Sequence, residues 1–149
     1  MYTRPHRLIT DVRTRVFQYK FLQDILVNKY WLFKWNISND NICILCKNDK
    51  DNLNHRFWEC IYVKQFWIDF NNYYERRLEM KVVKEMVFFG YENMLLCTLI
   101  FAAKQYIHCC VCREEVPKFT QFLDKVCYMK SIEEQICKRN FTLEKWLEK

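Results

Sequence analysis

Four side chains between positions 43 and 60 have the types and spacing to hold a soft metal ion: Cys43, Cys46, His55 and Cys60. The two-residue gap in Cys43-Ile-Leu-Cys46 lets one tight turn aim two thiolates at a point. His55 and Cys60 stand five apart, and they converge if the helix that carries the histidine ends before the cysteine. Lys47 to Asn52 supplies the chain reversal between the pairs. Three thiolates and an imidazole suit tetrahedral zinc, and the protein itself would fill all four positions. Such a site is closed to water and substrate, so it points to scaffold and away from catalysis. Two other readings stand beside it. Cys-x-x-Cys is also a redox pair, although no strand–motif–helix context surrounds it and His55 and Cys60 would have no role. Three buried thiols and a capping histidine can also meet by chance in a cysteine-rich chain.

Other residues with chemical capacity carry less. Cys97, Cys109, Cys110, Cys112, Cys127 and Cys137 remain. His108 with Cys109, Cys110 and Cys112 would make a second metal site, but neighbours on a helix point about 100° apart, which favours buried thiols. A Cys110–His nucleophile lacks a visible orienting partner. His6 reads as a solvated residue of an N-terminal arm.

The elements that must position the quartet read as helices. A chain with one glycine and two prolines has few tight turns, which disfavours a hairpin-rich β fold. Thr10 is a good N-cap with Asp11 in the first turn, and a helix is expected from about Asp11 to Val27. Its inward stripe is Val12, Val16, Tyr19, Leu22, Gln23 and Leu26, widened by Phe17, Phe21 and Ile25, with Arg13, Lys20 and Asp24 opposite. Asn28 reads as its stop. Lys29 to Trp35 is a short, aromatic second helix. After a polar linker, Asn36 to Asn41, Asn52 or Asn54 caps the helix that presents His55. Ile61 to Leu78 is amphipathic, with Val63, Phe66, Trp67, Phe70, Tyr73 and Tyr74 on one side. Lys81 to Gly90 is an extended or short helical connector, and Gly90 marks a turn. Asn93 to Arg113 is a long apolar helix. Pro117 fits the first turn of the next, Ser131-Ile-Glu-Glu134 is a capping box for another, and Thr142 caps a last one. The expected fold is mainly α, a small helical domain stapled by one structural Cys3His zinc site. Residues 1–90 form the basic helices and metal module, and residues 91–149 a helical extension packed on it.

Half of the 149 residues are apolar, enough for a sizeable core. The longest uncharged apolar run, Asn93 to Ala103, has 11 residues, against the about 20 a spanning helix needs, so no membrane span is expected. The odd cysteine count, the lack of a signal peptide and the metal-like spacing point to a reducing, intracellular compartment. The charge of +6 is concentrated at the start: residues 1–35 hold seven Lys/Arg and two acids. Arg4, Arg7, Arg13, Arg15, Lys20, Lys29 and Lys34, with Lys47 and Arg56 near the metal, are the candidate phosphate contacts. The competing reading is an ordinary solvated face. Most aromatics, including Phe17, Trp31, Phe57, Trp58, Phe66 and Trp67, are expected in the core. Trp35 and Tyr30 are the ones expected outside.

Arg15-Val-Phe-Gln-Tyr-Lys-Phe-Leu, Cys43-x2-Cys46 and Leu53-Asn-His55-Arg-Phe-Trp-Glu-Cys60-x6-Trp67 together resemble the zinc-binding module that follows the polymerase in LINE-type (non-LTR) retrotransposon proteins. Phe89-Gly90, Ala103 to Ile107, Pro117 to Phe122 and Ile132-Glu-Glu are similar to their helical tail. The resemblance implies structural zinc on Cys43, Cys46, His55 and Cys60. It also implies an accessory segment that contacts RNA or DNA, the element transcript or target site, beside the rest of the reverse transcriptase. That places it in the nucleus or a cytoplasmic ribonucleoprotein. The chain carries no Asp-Asp dipeptide of a polymerase metal site, so no catalysis and no small-molecule substrate are expected. The alternative role is a protein-docking or purely structural module bracing the polymerase.

Overall fold

The computed structural model describes residues 12–136. Arg4, His6, Arg7, the Thr10 cap, Cys137 and the helix expected after Thr142 lie outside them. The elements are α1 (Val12–Leu22), α2 (Lys29–Lys34), a π-helical turn (His55–Glu59), α3 (Ile61–Leu78), α4 (Lys84–Phe89), α5 (Met94–Cys112) and α6 (Phe119–Ile136). Among the described residues the one β-type pairing is the bridge between Ile42 and Lys50. The fold is mainly helical, as expected.

α5 is the central element. Leu96, Leu99, Ile100, Phe101, Ala103, Ile107 and Val111 are all buried along it, and a helix apolar on most of its circumference must be covered on most sides. α1, the π turn, α4 and α6 supply the cover. By length and composition alone, Leu95–Cys112 is apolar enough to cross a membrane, although Lys104 interrupts its uncharged run; 61% of that window is buried in the protein. Asn93 caps the helix by accepting from the Leu96 amide at 3.1 Å. The thiol of Cys97 closes the turn before it, accepting from the Tyr91 amide and donating to the Tyr91 carbonyl.

α3 lies where its periodicity puts it, and its inward face builds an aromatic core with α5 and α6. Phe66 meets Tyr106 at 5.9 Å, Phe119 at 6.0 Å and Phe122 at 5.5 Å between ring centroids. Most of these rings meet edge-on or tilted, the arrangement their quadrupoles prefer. Asn71 accepts from the Val82 amide at 2.8 Å and donates to its carbonyl at 3.1 Å. One side chain thereby satisfies both backbone groups of a buried extended residue, and the connector needs no partner strand.

Four local expectations are corrected. α1 ends at Leu22 and the chain turns at Asp24, whose φ is 51°. Its buried side is Phe17, Gln18 and Phe21, while Val12, Val16 and Tyr19 are exposed. The two phenylalanines are drawn inward because Phe57 meets both, at 6.3 and 5.0 Å. Asn28 starts α2 and does not stop α1: its side chain accepts from the Trp31 amide at 3.1 Å. Pro117 precedes α6, whose first residue is Phe119. Ser131 lies inside α6, where its hydroxyl donates to the Tyr128 carbonyl and caps nothing.

Lys104 is wholly buried on α5. Its ammonium donates to Gln18 Oε1 at 2.9 Å and to the Val87 carbonyl at 3.1 Å, and lies 3.9 Å from the Phe21 ring centre. It thereby joins α1, α4 and α5. No carboxylate among the described residues pairs with it, and burial lowers its pKa from 10.5 to about 7. Between those values the unfolded chain holds a proton that the folded chain has lost, so stability rises with pH across that interval. Below about pH 7 both states are charged and the contribution is flat. Lys104→Met should remove this rise, read as the difference between the two proteins' urea stabilities measured from pH 6 to pH 10.

Candidate metal centre

The first ligand pair sits on a small hairpin. The Cys43 amide donates to the Asp49 carbonyl and the Asp51 amide to the Asn41 carbonyl, each at 2.8 Å. Within it the Lys47 amide returns to the Cys43 carbonyl at 2.9 Å. Lys47 takes the left-handed conformation, φ 56°, which reverses the chain just after Cys46. The reversal expected over Lys47 to Asn52 is this hairpin.

The second pair needs a different device. On an α-helix, residues five apart point about 140° away from each other. Here the helix widens: the Cys60 amide donates to the His55 carbonyl at 2.9 Å, a hydrogen bond spanning five residues. That bond brings His55 and Cys60 back toward one side, and Cys60 then leaves the helix with ψ 131°. Asn52 caps the turn by accepting from the His55 amide at 2.8 Å. Trp67 anchors it to α3, its indole N–H donating to the Phe57 carbonyl at 2.8 Å.

The four donor atoms lie within 4.8 Å of one another. Cys43 Sγ and Cys60 Sγ are 4.0 Å apart, and Cys46 Sγ and His55 Nε2 are 3.3 Å apart. Tetrahedral ligation with Zn–S of about 2.3 Å and Zn–N of about 2.0 Å places neighbouring donors roughly 3.5–3.8 Å apart. The residues therefore fit, and the group is positioned to bind one zinc ion. Cys43, His55 and Cys60 are buried and Cys46 partly so. In the protein alone the Cys43 thiol is pushed up to about 12, by its hydrogen bond to Cys60 and by burial. Cys60 is lowered because it accepts that bond. The pair thus retains a proton that a metal must displace.

Beside the ligands is an ionic hub that sequence spacing did not signal. Asp51 and Arg56 are both buried and form a two-pronged ion pair, Nε to Oδ1 at 3.0 Å and the second arm to Oδ2. Asp51 Oδ2 also accepts from the Lys29 amide at 2.9 Å. Arg56 donates to the Val27 carbonyl at 3.0 Å, and its other contact is His108 Nδ1 at 3.3 Å. Burial and the adjacent guanidinium lower His108 to about 4, so it is neutral and accepts. The hub links the α1–α2 connection, the metal hairpin, the π turn and α5.

These positions correct several expectations. Arg56 is an internal cation with its donors engaged, not a surface phosphate contact. His108 serves it, and among the described residues only the quartet gathers three or more metal-binding side chains. Cys110 is buried and its thiol raised by burial, the opposite of an activated nucleophile. Of the three thiols expected to be buried, Cys110 is, Cys109 is partly so and Cys112 is exposed; Cys97 is buried and Cys127 exposed. Arg13, Lys20, Lys34 and Lys47 are exposed, and Arg15 is half-buried. Lys29 is ion-paired to Asp40 at 3.0 Å.

Zinc should bind one to one, and Cys43→Ser or Cys60→Ser should abolish stoichiometric binding. Structural zinc contributes about 10–16 kcal/mol in small modules, comparable with a whole domain's stability, so a chelator should lower the melting temperature. Because at least one proton is displaced, affinity should fall about tenfold or more per pH unit on acidification, measured by competition with a chromophoric chelator. Asp51→Ala leaves Arg56 buried without its carboxylate. It should cost about 3–5 kcal/mol in urea denaturation.

No curated protein and no solved structure shows a significant match to the chain. Residues 7–67 match the family model described as zinc-binding in reverse transcriptase. The matched span contains α1, α2, the hairpin, the π turn and the start of α3, with all four ligands. Over that span the chain is similar to the zinc-binding segment of a reverse transcriptase.

Proposed function

We propose that the chain is a non-catalytic accessory segment of a LINE-type retrotransposon reverse transcriptase that holds RNA or DNA against the rest of that protein. The observation that carries this reading is the match over residues 7–67, the stretch that holds both the metal quartet and most of the basic excess. The closed ligand set gives zinc a structural role, fixing the hairpin and π turn that carry and flank the cations. Arg13 and Lys20 on α1, Lys34 on α2 and Lys47 on the hairpin are the exposed phosphate contacts. The reading places the chain where element RNA and target DNA meet, in the nucleus or a ribonucleoprotein.

A second reading, docking against the polymerase, has its own support. A groove between α1 and α4 is lined by Phe21, Leu22, Leu53, Phe88 and Phe89, and Phe89 is 79% exposed. Salt separates the two. Phosphate contacts release counterions, so affinity for RNA or DNA should fall steeply between 50 and 200 mM salt, with a log–log slope near about −0.7 to −0.9 per contact. Substituting Arg13, Lys20 and Lys34 together by alanine should weaken binding for all sequences and flatten that slope by about three contacts' worth. A flat salt response would favour docking.

A further inference from the structure

α2 is an aromatic helix with no fully buried residue; Trp31 and Leu32 are partly covered. Lys29–Lys34 contains Tyr30, Trp31 and Phe33, followed by Trp35 and Ile37, and no residue of the helix is buried. Trp35 is 51% and Ile37 70% exposed. A six-residue helix does not hold itself together in water. This one is held through its backbone: the Lys29 amide donates to the Asp51 carboxylate and the Tyr30 amide to the Asp51 carbonyl, with Asn28 as cap. The metal hairpin thus fixes the helix while Tyr30 and Phe33 stay exposed and Trp31 is partly covered. Trp31 and Trp35 stack at 5.8 Å with 27° between their planes, and Lys34 Nζ lies 4.9 Å from the Trp31 ring centre.

The charge around the rings selects the occupant. Lys29, Lys34, Lys47 and Lys50 stand on α2 and the hairpin, against the exposed acids Asp40 and Asp49. Asp51 is spent on Arg56. Flat, exposed rings with the Lys34 ammonium against one of them, on a surface with more lysines than acids, complement a partner that is flat, apolar and anionic at once. Unpaired nucleotides have those properties, whereas duplex bases are already stacked on each other. We propose that α2 and its C-terminal Trp35 form a stacking platform for single-stranded nucleic acid, with Trp35, backed by Trp31, receiving a base and Lys34 an adjacent phosphate. This deepens the nucleic-acid reading above and rests on it.

The test uses the full chain and two strands of equal length, oligo-dT and its abasic counterpart, which has the same phosphates and no bases. Fluorescence anisotropy at one salt concentration should give about tenfold tighter binding to oligo-dT. Trp35→Ala should remove that advantage and leave abasic binding unchanged, Trp35→Phe should restore part of it, and Lys34→Ala should weaken both strands. Trp35 is half exposed, and circular dichroism should be unchanged in its variants. Equal binding of the two strands by the wild type, or an advantage that survives Trp35→Ala, overturns the platform and leaves the nucleic-acid reading standing. Binding to neither strand removes both. Self-association that Trp35→Ala abolishes, with no preference between strands, overturns it in favour of a second copy of the chain.

Discussion

Between Leu26 and Phe57 the chain fully buries a single apolar side chain, Cys43, and that residue belongs to the quartet positioned to bind zinc. The other buried residues of this stretch are Asn28, Asp51, His55 and Arg56. Ile44, Leu45, Cys46 and Leu53 pack against the core only partly buried, so hydrophobic burial, the usual dominant source of stability, contributes less here than in the rest of the domain. The Asn28 cap and the Asp51–Arg56 pair add directional links, and a zinc ion bound by the quartet would add a third. Each is directional, and each joins groups that face one another only in one arrangement. The entry to the domain is thus built by coordination and hydrogen bonding, and the remainder by packed rings.

That division explains why aromatic residues meet two fates. The rings of α3, α5 and α6 have one another to pack against, so Phe66, Phe70 and Phe122 are almost wholly excluded from water. The rings of α2 are placed by a backbone anchored to Asp51, and Tyr30 and Phe33 stay exposed while Trp31 is only partly covered. The zinc-binding arrangement fixes where these rings and lysines stand without burying them.

The two halves are nonetheless one packed body among the described residues. A single core cluster runs from Phe17 through Phe57 to Val126. α5 carries two polar links across it: His108 reaches the metal-side hub and Lys104 reaches α1 and α4. Lys104 is buried and His108 partly so, and burial disfavours the charged form of each. Each contributes register at a cost in desolvation, which a purely apolar helix would not incur.

The residues by themselves determined the metal quartet, because ligand softness and short spacing are local properties. They determined α3 and α5 as well, through an unbroken period and, in α5, the Asn93 cap. They did not determine which side of α1 turns inward, since Val12, Val16 and Tyr19 offer an apolar stripe as plausible as Phe17 and Phe21. Tertiary structure settled that, because Phe57 and Lys104, distant in sequence, supply partners only for one side. It also decided the roles of Arg56 and the widened turn at His55. A basic residue near a ligand looks like a surface cation until Asp51, Val27 and His108 are brought around it, and a five-residue spacing aligns only when a hydrogen bond rewinds the helix.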